Sequence, residues 1–354
     1  MNGISDTAQA GAGRAAATRP DWLKAMAQYE RPSLRRALWQ MLDTFVPYLT
    51  LWAGMVLLMR WGAPYWIVLL LSVAAAGLQV RIFILFHDCC HGSYFRSPRA
   101  NAVLGNVAGV LTFTPYKDWR LAHNIHHATV ADLDRRGIGD VTTMTVEEYR
   151  AASFPRRMRY RAYRHPLVLF VLGPVWVFLV TFRFFPKGAK RPERMSVLAT
   201  NLALAAIAAA ASWTIGLKTY LLIQLPILLI GGAAGIWLFY VQHQFERGYW
   251  ARHGDWDPVR AAFDGSSFYK LPKVLQWFSG NIGLHHIHHL RPRIPNYNLQ
   301  RCYDALPALR EIRPVTLLGS LRSLRLHLWD ERGQRMVGFG ALRRTPAPHA
   351  AGGG

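Results

Sequence analysis

Ten of the fourteen histidines in this 354-residue chain fall in four short stretches. The stretches are HDCCH at 87–91, HNIHH at 123–127, QHQ at 242–244 and HHIHH at 285–289. Side chains three or four positions apart share one face of an α-helix, so a helical first stretch places His87 and His91 together. The spacing HxxHH occurs twice and predicts three imidazoles on one face in each copy. In the last copy, His286 points about 100° away from that face.

This spacing predicts metal binding. Imidazole is a ligand for Zn, Cu, Fe and Ni, so the ligand type leaves the metal open. The helical faces of the three dense stretches offer eight histidines, and His243 adds a ninth, which is too many for one tetrahedral zinc ion. A site for two metals is the simpler interpretation. Carboxylate-bridged di-iron bundles carry Glu-x-x-His, and no glutamate in this sequence has a histidine three residues later.

The composition favours a membrane protein. Apolar residues make up 51% of the chain, and 42 Lys and Arg against 20 Asp and Glu give a formal charge of +22. An anionic membrane surface explains this charge better than nucleic acid does, because long apolar runs separate the basic stretches and no nucleic-acid recognition motif is present. The three cysteines lack CxxC spacing, which indicates a reducing compartment.

Four apolar runs are long enough to cross a bilayer, since about 20 helical residues span the hydrocarbon core. They form two pairs joined by tight turns: 38–59 with 64–86, and 196–215 with 220–240. A fifth run, at 167–185, is interrupted by Gly173 and the helix breaker Pro174. We interpret this run, like 103–114, as interfacial or re-entrant.

Basic residues predict the orientation of these spans. The turns at 60–64 and 216–218 carry one basic residue each, whereas the longer segments are rich in Arg and Lys. By the positive-inside rule the turns face outward, and both termini and the histidines face the cytoplasm. The predicted fold is an all-α integral membrane protein with four transmembrane helices in two hairpins, interfacial or re-entrant helices, and a cytoplasmic helical cap holding a histidine-rich di-metal site. Residues 1–34 are expected to be a disordered or weakly ordered cytoplasmic segment, 35–330 a domain, and 331–354 a disordered tail.

The three dense stretches, taken in order, resemble the HxxxH, HxxHH and HxxHH boxes of the membrane fatty acid desaturase family. The resemblance covers roughly residues 35–330. Three stretches resemble the bacterial acyl-lipid, omega-6/delta-12 type branch: LTFTPYKDWRLAHNIHH at 111–127, LDRRGIGDVTTMTVEEY at 133–149 and YVQHQFE at 240–246. The boxes alone are also similar to those of alkane hydroxylases and of carotenoid hydroxylases or ketolases.

The resemblance implies removal of two hydrogens from adjacent methylenes of an acyl chain to leave a cis double bond, with O₂ as co-substrate, at a di-iron centre in a bacterial cell membrane. It implies no catalytic residue beyond the metal ligands. The implied ligands are His87, His91, His123, His126, His127, His243, His285, His288 and His289. An external electron donor such as a ferredoxin is also implied, because the sequence has no cysteine set for an iron–sulfur cluster and no flavin fingerprint.

Several residues near the boxes are candidates to support this site. Asp88, Asp118 and His286 are candidates to hydrogen-bond and orient a ligand, although Asp88 equally suits the cap of a local turn. Trp119 is a candidate to line the acyl channel or to anchor the chain at the membrane interface. Further candidates for hydrogen bonds to the ligands are Asp140, Glu147 and Glu148. The two glutamates equally suit a solvated helix face.

Two other functions stay open. The same histidines suit a di-iron hydroxylase or ketolase that acts on an alkane, a sterol or a carotenoid. They also suit a metal-binding transporter or receptor, but transporters place ionisable residues near the bilayer midplane. Here the apolar runs of the two pairs contain only Asp43 and Arg81 as charged residues, and the clustered histidines lie outside them. This difference favours an enzyme.

Overall fold

The computed structural model of the chain describes residues 20–343. The α-helices in this range are α1 (Asp21–Ala25), α2 (Leu34–Arg60), α3 (Tyr65–His91), α4 (Pro98–Leu111), α5 (Tyr116–Thr129), α6 (Val146–Ala151), α7 (Phe154–Tyr163), α8 (Arg191–Thr214), α9 (Leu217–His243), α10 (Pro258–Phe263), α11 (Lys273–Phe278), α12 (His285–Leu290), α13 (Asn296–Ala305) and α14 (Leu317–Ser320). The strands are β1 (Met144–Thr145), β2 (Tyr269–Lys270), β3 (Val315–Thr316), β4 (Leu328–Asp330) and β5 (Arg335–Val337). Short 3-10 helices lie at Met26–Glu30, Thr181–Arg183, His253–Asp255, Pro307–Arg310, Leu321–Arg325 and Phe339–Arg343, and π-helical turns lie at Val168–Leu172 and Val175–Val180.

Two hairpins of long apolar helices form the membrane part. α2 and α3 are joined by a turn at 61–64, and α8 and α9 are joined by a turn at 215–216. Gly216 in the second turn has a φ of 85°, a conformation that favours glycine. Each of the four helices has 24 to 27 residues and is apolar enough to cross a bilayer. The predicted fold class is confirmed, and the chain is an integral membrane protein.

α3 and α9 form the centre of the membrane part. They pack side by side, and at Gly231 of α9 an added Cβ would lie 2.7 Å from Oε1 of Gln79 and 3.3 Å from the carbonyl oxygen of Ala76, both on α3. α2 and α8 lie outside this pair and expose apolar side chains such as Leu42 and Leu202. Lipid tails are as apolar as leucine, so this exposure suits the outer helices of a membrane bundle.

A bent pair of helices covers the fifth apolar run. The helical turns over 168–183 lie at 62° to α7. The predicted break at Gly173 and Pro174 is wrong, since both residues keep right-handed helical angles. The wider π-helical turns accommodate a proline that has no N–H to donate. The bend lies instead next to Pro166, because a proline disfavours the helical conformation in the residue before it.

Two small sheets lie outside the spans, and the all-α prediction missed them. β1 pairs in parallel with β4, and β4 pairs antiparallel with β5, with Trp329 opposite Met336. β2 pairs in parallel with β3. Strands of two or three residues are too short to show the alternating pattern by which strands are recognised in a sequence. The fold is otherwise helical over the described residues.

Described parts of both flanking segments, 1–34 and 331–354, pack onto the cap. α1 and the 3-10 turn after it bury Met26 in a hydrophobic cluster that also contains Ile287 of the third histidine stretch. At the other end, β5 pairs with β4 and buries Met336. A few apolar residues in a polar segment give no periodic signal, although they suffice to pack onto an existing core. The ends at 1–19 and 344–354 lie outside the described residues.

Arg164 joins the bent pair to the rest of the protein. Its guanidinium is buried and donates hydrogen bonds of 2.8 Å to Oε1 of Gln244 and to the carbonyl of Leu326. It also donates to the hydroxyl of Tyr240 at 3.1 Å and to the carbonyl of Thr142 at 3.2 Å. Because a buried charge is costly unless it is hydrogen-bonded, these four acceptors hold the chain before α7, the end of α9 and the C-terminal segment around one side chain.

Candidate metal centre

The clustered histidines lie at the end of the helix bundle away from the two hairpin turns. His87 and His91 are in the last turns of α3, and His243 is the last residue of α9. The second stretch lies on α5, which begins after Pro115, and the third forms most of the short helix α12. The first stretch therefore continues the second span, as predicted.

The nine predicted ligands form two clusters. Cluster A contains His87, His91, His123, His127 and His288. Cluster B contains His126, His243, His285 and His289. Within each cluster, one ring nitrogen from every histidine lies within 4.8 Å of those of the others. Each HxxHH stretch is divided between the clusters, because its i, i+4 pair enters one cluster and its remaining histidine enters the other.

The ring nitrogens of cluster B converge at distances typical of ligands around one ion. Nε2 of His243 lies 3.2 Å from Nε2 of His126 and 3.0 Å from Nε2 of His285. Nε2 of His285 in turn lies 3.1 Å from Nε2 of His289. Metal–nitrogen bonds of about 2.1 Å place adjacent ligand nitrogens about 3 Å apart. The spacing in cluster B therefore suits one metal ion.

Cluster A has the same spacing. Nε2 of His127 lies 3.1 Å from Nε2 of His123 and 3.0 Å from Nε2 of His288. Nε2 of His87 and Nε2 of His91 are buried and have no hydrogen-bond partner among the described residues. Buried ring nitrogens without a partner are expected where lone pairs point at an ion. A set of nine imidazoles, with no carboxylate among them, fits two metals that prefer nitrogen ligands.

Five of the clustered histidines outside the spans are held in the neutral form. These are His123, His127, His285, His288 and His289. The pKa of each of these five lies well below the ordinary range of histidine. Burial is the larger cause, and the neighbouring histidines are the second. A neutral imidazole keeps a free lone pair, and metal binding requires it. The low pKa values therefore favour ligation at neutral pH.

Asp140 orients a histidine of cluster B. Its Oδ1 lies 2.5 Å from Nδ1 of His126, and the carboxylate is nearly buried. A carboxylate at Nδ1 fixes the proton on that nitrogen and leaves Nε2 of His126 free to face His243 in the cluster. The predicted hydrogen bond from Asp140 to a clustered histidine is present.

Asp88 makes the corresponding contact in cluster A. Its Oδ1 lies 3.3 Å from Nδ1 of His87. Its Oδ2 accepts hydrogen bonds from the backbone N–H of Asn296 at 2.6 Å and from the amide Nδ2 of the same residue at 2.8 Å. Asn296 also accepts a hydrogen bond of 2.6 Å from Nε2 of Gln40 on α2. A buried chain of hydrogen bonds thus connects the first helix of the bundle to His87.

Two other candidates for this role face elsewhere. Asp118 precedes His123 by five positions on α5, about 140° around the helix, and no hydrogen bond joins it to a histidine in the described chain. Burial, and after it the carboxylate of Glu193 on α8, raise the pKa of Asp118. His286 packs against Phe263 and Phe268 instead of a clustered histidine. No hydrogen bond among the described residues joins Asp118 or His286 to a clustered histidine, so their role in orienting a ligand stays a prediction.

The two glutamates do not contact the clusters either. Glu148 and Thr145 form a capping box at the start of α6, and Glu148 pairs with Arg136 at 2.5 Å. Glu147 lies beside Arg332 at 4.0 Å, and its side chain is 38% exposed. Glu147 and Glu148 therefore lie at a partly solvated helix end, in agreement with the alternative prediction of a solvated helix face.

We expect the Asp140→Ala variant to bind metal about 10- to 100-fold more weakly, because His126 loses the carboxylate that orients it. Competition with a chelator measures this affinity. Glu147→Ala is the matched control, since it removes a carboxylate that contacts no histidine and should leave the affinity unchanged. Equal affinities for Asp140→Ala and the unaltered protein would contradict the role of Asp140.

An apolar cavity of about 420 Å³ opens beside the clusters. It runs between α3 and α9, from His87 and His285 to Gln79 and Leu228. Trp119 lies in its wall and stacks on His123, with ring centroids 4.2 Å apart and planes at 21°. Trp119, a predicted channel residue, thus lies in the cavity wall next to the cluster A histidines His87 and His123.

Two parts of the site have no signal in the sequence. Asn296 follows the third box by seven positions, and nothing in its surroundings indicates a partner 208 residues earlier. Phe178 lines the cavity from the fifth apolar run, where phenylalanine is expected in any membrane-associated helix. Only the fold connects these residues with the histidines.

Fold and site together define a membrane protein with a buried, histidine-rich centre for two metals. The family model described as fatty acid desaturase matches residues 64–316. A fatty acid desaturase of Bacillus subtilis is 48% identical over 323 residues, which cover 91% of each chain. An sn-1 oleoyl-lipid 12-desaturase of Synechocystis is 26% identical and covers 74% of this chain and 76% of its own length. An sn-2 acyl-lipid omega-3 desaturase (ferredoxin) of Arabidopsis thaliana is 26% identical and covers 69% of this chain and 57% of its own.

The chain belongs to the fatty acid desaturase family. It is a membrane fatty acid desaturase, an oxidoreductase, with a histidine-rich site for two metals. The predicted family and reaction class are confirmed, and the alternative of a metal transporter or receptor is wrong.

Proposed function

We propose that the protein introduces a cis double bond into the acyl chain of a membrane lipid, with O₂ as co-substrate, at a di-iron centre. The observation that carries this proposal is the apolar cavity that ends at two adjoining histidine clusters. Such a cavity suits a hydrocarbon chain, since each buried methylene contributes about 0.8 kcal/mol. The relatives from Synechocystis and Arabidopsis, whose names specify oleoyl-lipid and acyl-lipid substrates, support a lipid-borne acyl chain.

Clusters A and B would hold one iron each, through five and four histidines respectively. Zinc also binds imidazole, but it has no redox chemistry, and removal of two hydrogens by O₂ requires electron transfer. When bound, the two irons would supply the activation of O₂. The nine imidazoles would hold the two irons, and Asp88 and Asp140 would keep the rings of His87 and His126 oriented toward them.

The protein itself contributes the position of the substrate. Trp119 and Phe83 line the cavity beside His87 and His123 and would contact the methylenes there. The apolar walls keep water away from the reacting carbons, which suppresses side reactions. The carbons next to the clusters are therefore the ones that become unsaturated.

We further propose that the metal centre lies on the cytoplasmic side of a bacterial cell membrane and receives electrons from a small acidic carrier such as a ferredoxin. The charge distribution supports this orientation, because the hairpin turns carry few basic residues. Exposed arginines on and next to α7, among them Arg156 and Arg159, suit an acidic partner. The Arabidopsis relative, whose name includes ferredoxin, supports the type of donor.

Expression in a host that makes only saturated and monounsaturated acyl chains tests the proposal. We expect lipids of this host to gain a new cis double bond, detected and located by mass spectrometry, only when the chain is expressed and oxygen is present. The omega-6/delta-12 position is the finer hypothesis, which the Synechocystis relative and the three branch-like stretches support. Hydroxylated products with an unchanged unsaturation profile would instead favour the hydroxylase alternative.

A further inference from the structure

Three glycines of α9 line the cavity. They lie within the sequence GGAAG at 231–235 and are Gly231, Gly232 and Gly235. Glycine is unfavourable in the interior of a helix compared with alanine. The presence of glycine at each of these positions therefore needs a structural reason. Close packing supplies that reason at two positions but not at the third.

Gly231 and Gly232 are required by neighbouring elements. A Cβ at Gly231 would lie 2.7 Å from Oε1 of Gln79, and a Cβ at Gly232 would lie 3.0 Å from both Phe178 and Pro174 of the bent segment. Real Cβ atoms essentially never approach other atoms as closely as the first distance, and the second is tighter than most observed contacts. With a larger residue at Gly231 the end of the Gln79 side chain would have to move, and at Gly232 Phe178 or Pro174 would have to shift.

Gly235 has no such neighbour. A Cβ at this position would meet no atom of the described chain within 4 Å, and it would point into the open space of the cavity. Gly235 lies eight positions before His243 on α9, about 12 Å from it along the helix axis. The cavity continues past Gly235 to Leu228, a further seven positions away. A side chain at 235 would therefore divide the deep part of the cavity from the part beside the clusters.

We propose that Gly235 sets how much of the acyl chain fits beyond the reacting carbons, and is a specificity-determining residue of the desaturase. This inference rests on the proposed function. The polar end of a lipid stays near water because its burial is costly, so the methyl end reaches the deep part of the cavity. The absence of a side chain at 235 leaves room for that end.

The test is the product profile of Gly235→Leu, with each product classified by the number of carbons between the new double bond and the methyl end. One methylene in an apolar pocket changes selectivity about tenfold or more. We expect the products with the longest methyl-side segments to fall at least about tenfold relative to shorter ones. Gly54→Leu is the matched control, because Gly54 lies inside α2, also meets no described atom within 4 Å, and does not line the cavity.

Gly235→Ala provides a second, milder variant that adds one methyl group in open space. It should shift the product profile in the same direction by a smaller amount. If Gly235→Leu fails to accumulate, the profile of Gly235→Ala tests the inference. An unchanged profile in an active Gly235 variant would overturn the inference, as would a loss of product that shorter acyl chains do not restore. If the unaltered protein and Gly54→Leu give no unsaturated product, the proposed function fails instead.

Discussion

We expect the His288→Ala variant to lose desaturase activity by at least about a hundredfold. Loss of a residue that only orients a ligand costs up to about a hundredfold, and His288 is itself a predicted ligand. His288 belongs to cluster A, and its Nε2 lies 3.0 Å from Nε2 of His127. It also packs its ring against His87, with centroids 4.4 Å apart. Its removal would leave one iron with an incomplete set of nitrogens.

His286→Ala is the matched control, because His286 lies two residues away on the same helix. Its ring packs among Phe263, Phe268 and Tyr303, and burial lowers its pKa to about 3. The variant should keep most of its activity per folded molecule, although the cavity left behind destabilises the protein by about 1–3 kcal/mol. Activity must therefore be measured against the folded fraction. Equal losses of activity per folded molecule in the two variants would contradict the assignment of His286 and His288 to different helix faces.

The helical spacing of the histidines made the site visible in the sequence. Positions i and i+4 share a helix face, so His123 with His127 and His285 with His289 are recognisable pairs without a structure. The apolar runs were equally clear, because a bilayer span needs a long and nearly uninterrupted stretch. Both signals are local, and both led to the correct fold class.

Contacts between distant segments were not visible. The separation of each HxxHH stretch into two clusters depends on how α5 and α12 face each other, and no sequence spacing encodes this. Asn296 reaches Asp88 across 208 positions, and Arg164 reaches Leu326 across 162. Asp118 shows the converse limit: it is close to the second box in sequence, but it lies about 140° around the helix from His123.

Short elements were missed for a different reason. The strands β1 to β5 have two or three residues each, and α1 buries few apolar residues in a polar segment. Such pieces form because a core already exists for them to pack against, so their stability comes from tertiary contacts rather than from local propensity. Periodicity in the sequence therefore cannot reveal such short elements.

The iron content of the purified protein tests the central claim most directly. Two histidine clusters predict about two iron atoms per chain in protein prepared with iron, measured by elemental analysis against protein concentration. His286→Ala should hold the same amount, and His289→Ala, which removes a nitrogen from cluster B, should hold less. Zinc in place of iron would not contradict the account, because zinc also binds imidazole. A fully active preparation with one iron atom or fewer per chain would contradict it.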